Sequence, residues 1–173
     1  AESANTSVDI YITPGVSAGI SASPSSYTFG TVNVGQSTHT TTAITLTNTG
    51  SATSDITKQI LSVTDQGDGA EDWKLAYSTG TLDYFMIGCI AKSSEATDDE
   101  FWTFGNYTTS NSSFTFTEGS TSSSANDLKD TSGNPISLAP SATQDVWFRV
   151  VVPSPVSDSD QQKITVQFTA TTQ

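Results

Sequence analysis

The sequence predicts an all-β protein, built as an antiparallel β-sandwich or jelly roll. Apolar residues alternate with period two in one short segment after another, and turn residues separate the segments. Ser and Thr together supply 56 of the 173 residues. Good helix formers are scarce, whereas Thr, Val and Ile suit a pleated, half-buried surface.

Each element follows from that pattern. Val8, Ile10 and Ile12 share one face of the first segment, with Asp9, Tyr11 and Thr13 on the other, and Pro14-Gly15 ends the run. Ile20–Pro24 leads into Tyr27–Gly35, which reads as a short strand, a bend and a turn. Thr41–Asn48 is a strand with Ile44 and Leu46 inward, closed by Asn48-Thr49-Gly50. Ile56–Val63 reads as a further strand, although Ile56, Ile60 and Leu61 also suit a helical turn. After the acidic loop Asp65–Asp72 come Trp73–Tyr77 and Leu82–Ala91, the latter so uniformly apolar that it should sit deepest. Phe101–Tyr107 and Phe114–Phe116 are short and aromatic. Glu118–Pro135 carries little to bury and reads as a long surface excursion. Gln144–Val152 and Lys163–Thr171 close the chain as alternating strands. The expected core holds Ile44, Leu46, Leu75, Phe85, Ile87, Val146, Phe148, Val150, Val166 and Phe168.

Composition excludes several classes. A formal net charge of -12 and a pI near 4.1 argue against nucleic acid, which needs a basic face. No apolar run approaches the roughly 20 residues of a membrane span. The length suits one domain with a real core. The single cysteine, Cys89, forbids an intrachain disulfide and lies in a run apolar enough to be buried. The start Ala1-Glu2-Ser3 looks like a mature end after signal-peptide removal, and the acidic, hydroxyl-rich composition fits a secreted, extracellular or cell-surface protein. Sequons at Asn5, Asn106 and Asn111 are candidate glycosylation sites.

Catalytic chemistry is hard to compose. His39 is the only histidine, and a zinc site or a nucleophile–base pair needs more. It reads as an exposed polar residue before a strand, so no catalytic residue is assigned and the expectation is a protein that is not an enzyme. Asp98-Asp99-Glu100 and Glu71-Asp72 read as solvated acidic turns, with a hydrolase acting through Asp98 or Glu100 as the competing class. No cofactor is expected beyond calcium, for which Asp65, Asp68, Glu71 and Asp72 are the candidate ligands. Their spacing does not follow the EF-hand register. Trp73, Trp102 and Trp147 read as packing residues, or alternatively as a sugar-binding face.

The first strand stands apart from the rest. Residues 1–13 are followed by Pro14-Gly15 and a Ser/Ala/Gly segment to position 26, so the chain divides into a strand (1–13), a hinge segment (14–26) and a body (27–173). Such a strand either joins an edge of its own sandwich or completes a neighbour's sheet, since exposed edges template pairing.

Three stretches in order resemble the TasA/camelysin family of biofilm-fibre subunits and the related bundling pili of archaea. They are Val34-Gly35-Gln36-Ser37-Thr38-His39 with Ile44–Ser51, Gly67–Trp73 with Lys74–Tyr77, and Leu138–Thr143 with Val146–Val150 and Ile164–Phe168. Glu118–Pro135 aligns with nothing specific in that family. The metalloprotease activity ascribed to some relatives does not carry over, because this chain lacks the residues for such a site. The resemblance implies an all-β, antiparallel β-sandwich of jelly-roll type with a detached N-terminal donor strand. It implies a structural subunit of an extracellular filament, a pilus or biofilm-matrix fibre. Val8, Ile10 and Ile12 would enter the next copy's sheet, and Pro14 and Gly15 would form the hinge. The partners implied are other copies in a head-to-tail polymer, with glycans or neighbouring filaments beyond them. The competing reading is a monomeric cell-surface adhesin or carbohydrate-binding module.

Overall fold

The computed structural model describes residues 12–13, 15–67, 72–102, 107–108 and 110–173. The protein is all-β, with ten strands and one four-residue helical turn among the described residues. One sheet runs β1 (Ile20–Ser23), β3 (Ile44–Asn48), β9 (Thr143–Val151), β6 (Tyr84–Ala91) and β5 (Lys74–Leu75), with β2 (Ser37–His39) also on β9. The other runs β10 (Gln162–Thr172), β4 (Ser54–Asp65) and β7 (Asn126–Asp127), with β8 (Ser137–Leu138) also on β4. The ladders are antiparallel except β5–β6, which is parallel because residues 76–83 return the chain to the start of the same ladder. No described helix is long and apolar enough to cross a membrane.

The two sheets share one apolar core. Leu46, Phe85, Ile87, Val146, Phe148 and Val150 come from the first sheet, and Ile56, Ile60 and Val63 from the second. β6 sits between β9 and β5 and is apolar on both faces, as its sequence requires. Its outward Ile90 packs with Trp147, Ala96 and Phe101 in a second cluster beneath α1 (Asp98–Phe101). In β4, adjacent Ile60 and Leu61 gave the sequence its helical ambiguity. A bulge resolves it: Thr165 pairs Ser62 and Val166 pairs Ile60, so Leu61 is left over and 44% exposed. The alternation then continues, with Val63 again inward.

Three expectations are corrected here. Tyr27–Gly35 forms no strand; the pairing falls earlier, on Ile20–Ser23, which was read as part of the hinge and instead joins the sheet through β3. Phe101 belongs to α1, whose first turn is closed by a capping box between Thr97 and Glu100. The excursion Glu118–Pro135 does bury something: Leu128 is fully enclosed and its backbone bonds Ile56 and Ile136. One apolar residue and the short β7 pin that polar loop onto β4, a signal too sparse to show as periodicity.

Lys58 occupies an inward position of β4, 1% exposed. Its Nζ donates to the Asp127 carbonyl at 2.8 Å and lies over the Phe114 ring at 5.3 Å. Burial pushes its ammonium down from 10.5 to about 8. Between those two values the unfolded chain holds a proton that the folded state has released, so this residue makes stability rise with pH across that window. The difference in unfolding free energy between wild type and Lys58→Met, from denaturant titrations, should therefore shift in favour of wild type between about pH 8 and 10.5. A flat difference contradicts the desolvated amine.

Candidate functional site

Three residues expected in the core, Ile44, Val166 and Phe168, are only half-buried, and all three line one groove. The groove has a volume of about 1080 Å³ and opens between the two sheets. β10 forms one wall, presenting Ile164, Val166 and Phe168, while Ile44, Phe148 and Val150 contribute from the opposite sheet. The irregular segment 24–34 flanks it, held by the edge-to-face pair Tyr27–Phe29 and by the Tyr27 hydroxyl on Thr41. β10 pairs only with β4, so its other edge borders the groove without a ladder partner among the described residues. A strand edge and an uncovered apolar face thus coincide.

Among the described residues, the fastening of the N-terminal chain nearest its start is at Ser17. Ser17 N donates to the Ser51 hydroxyl at 2.9 Å, and Ser51 N donates to the Ser17 carbonyl at 3.0 Å. Gly50 permits that approach, since a Cβ there would collide with the Ser17 carbonyl. Beyond this clamp Val16 is 65% and Ile12 82% exposed, and Gly15 has open space around it. Val8, Ile10 and Pro14 lie outside the described residues.

In the acidic loop, Asp72 Oδ1 accepts the Asp65 backbone N–H at 2.7 Å. Asp68 and Glu71 lie outside the described residues. Asp65 also meets Asp158 and Asp160, and the three offer oxygens within 4.8 Å of one another. The β4–β10 register brings them together, because Gln162 pairs Asp65 and the chain just before β10 folds back. Gly67 makes room, since a Cβ there would collide with the Asp160 carboxylate. Sequence spacing could not reveal partners more than ninety positions away.

His39 is part-buried rather than exposed. Its Nδ1 lies 2.8 Å from Asp98 and its Nε2 3.2 Å from Glu95. Arg149 reaches Asp98 at 3.5 Å, stacks on Trp102 at 4.1 Å and donates to the Ser37 hydroxyl. Glu100 pairs Lys92 at 2.7 Å, and that ammonium holds its carboxyl below the usual range. These acids therefore clamp α1 to β2 and β9, the Ser37 hydroxyl accepts from Arg149, and the Thr97 hydroxyl bonds Glu100. Burial pushes the Cys89 thiol up to about 12, which leaves it inert at neutral pH.

The remaining candidates are also engaged. Trp147 is buried with its Nε1 on the Lys92 carbonyl, and Trp73 packs on Phe85, so the tryptophans do not form one platform. Asn111 donates its Nδ2 to Thr131, while Asn5 and Asn106 lie outside the described residues. No family model and no curated protein matches the chain.

Three carboxylates this close repel one another, and a hard cation with a preference for oxygen would relieve that. An ion held by Asp65, Asp158 and Asp160 raises the melting temperature in saturating calcium over chelator, and Asp158→Asn removes the increment. Equal melting temperatures in both buffers leave the cluster as an acidic corner without an ion.

Proposed function

We propose that this protein is a structural subunit of an extracellular filament, a jelly-roll domain that polymerises by strand donation between copies. The observation that carries this reading is the coincidence in the groove: an unpaired edge of β10 beside half-buried Ile164, Val166 and Phe168. Residues 1–13 supply an occupant of matching pattern, with Val8, Ile10 and Ile12 at every second position. An inserted strand completes the ladder and covers the apolar row together. Burying three such side chains contributes about 5–9 kcal/mol before the cost of ordering the strand. A one-residue slip would turn all three toward solvent, which fixes the register. Pro14-Gly15 suits the point where pairing must stop.

The exit of the chain supports donation to another copy. Ile12 and Val16 are exposed past the Ser17–Ser51 clamp, which suits a strand that reaches another copy. The engaged tryptophans favour this reading over a carbohydrate-binding module, and the ion-paired acids favour a structural protein over a hydrolase.

Negative-stain microscopy distinguishes these readings. Wild type should form filaments, whereas Ile10→Asp should remain as folded, discrete particles. A chain lacking residues 1–13 should also stay discrete, and a synthetic 1–13 peptide near 100-fold its Kd should raise its melting temperature by about 5–10 °C. Filaments of unchanged diameter from the truncated chain would overturn the proposal.

A further inference from the structure

Resting on the filament reading above, we infer that the incoming strand runs antiparallel to β10. It enters at the Gln162 end and places Ile12 opposite Ile164, Ile10 opposite Val166 and Val8 opposite Phe168. The matching of two rows of three is satisfied in either direction, because residues directly opposite share a face of the sheet. Direction is decided by where the donor chain leaves its own body.

That exit lies at the far end of β10. Ser17 is fastened to Ser51, while Thr172 pairs Ser54 and Gln173 N donates to the Thr53 carbonyl. From Ser17 to Ile12 the chain reaches at most about 18 Å. The donor's Thr172 end must therefore sit close to wherever its Ile12 is seated. In the antiparallel arrangement that seat is Ile164, so the Thr172 end of one copy meets the Gln162 end of the next. Unlike ends meet, and the contact repeats without limit.

The parallel arrangement has a different outcome. Ile12 would then lie beside Phe168, and the Thr172 ends of both copies would face each other. The acceptor's own strand leaves from that same end, so the two copies would exchange strands reciprocally and close as a pair. The polarity of the strand is thus what makes donation yield a polymer.

The groove itself favours the first arrangement. On β10 it is lined from Gln162 to Phe168, and residues 158–161 continue the lining past the strand's start. Ala170 and Thr172 are not part of its lining, and β1 lies against β10 as well. The groove thus extends past the Gln162 end of β10 and stops short of its Thr172 end.

Cysteine pairs on the outward face test the polarity. Thr13→Cys with Lys163→Cys joins the strands only in the antiparallel arrangement, and Thr13→Cys with Thr169→Cys only in the parallel one. Cys89, fully enclosed, stays out of the reaction. Under mild oxidation the first double variant should give a reducible ladder of multimers on a non-reducing gel, and the second should remain monomeric. Cross-linking of the second variant, as dimer or ladder, overturns the antiparallel polarity while leaving strand donation standing. A disulfide within a single chain of the first variant overturns donation between copies. Neither pair reacting in preparations that contain filaments overturns the register; neither reacting, with wild type forming no filaments, overturns the filament reading as well.

Discussion

β10 is bonded along eleven residues on one side and along none on the other among the described strands. Much else in the molecule follows from that asymmetry. Among the described residues, the sheet containing β10 has four strands and the other has six. Ile44, Phe148 and Val150 of the opposite sheet line the groove along that edge, with Phe148 packed edge-to-face on Phe168. Backbone groups left unpaired at such an edge must find water or another chain.

Natural edges are usually protected by charge, proline or a bulge. Little of that protection is present here. Lys163 is the single charged residue of β10, no proline interrupts it, and the extra residue of the bulge belongs to β4. Protection comes instead from net charge, since -12 on 173 residues makes copies repel at long range. In the proposed filament, association rests on a short-range, directional ladder with apolar side chains in register.

Much of the fold was legible because period-two alternation reports burial directly. Leu46, Phe85, Val146 and Phe148 are in the core as that pattern requires. Where the reading failed, the missing information was tertiary. Ile44, Val166 and Phe168 have the pattern of core residues, but alternation does not say whether a covering strand is present in the same chain. Leu128 is a lone apolar residue in a polar stretch, so nothing periodic announced it. Nothing local in the sequence shows that His39 is half-buried, because its partners, Asp98 and Glu95, come from the start of and approach to a helical turn more than fifty positions away. The acidic corner was half legible: Asp65 was named, but Asp158 and Asp160 reach it through the β4–β10 register. The clamp at Ser17 and the extent of the groove along β10 are likewise properties of three-dimensional arrangement.

Hydrogen–deuterium exchange on β10 tests most directly whether its free edge is completed by another copy. In the monomeric chain lacking residues 1–13, the amides of Gln162–Thr172 that face β4 should exchange slowly and the alternate, edge-facing amides quickly. In assembled full-length protein both sets should be slow, with the added protection strongest from Ile164 to Phe168. Edge-facing amides that exchange equally fast in the truncated chain and in the assembly would contradict the account.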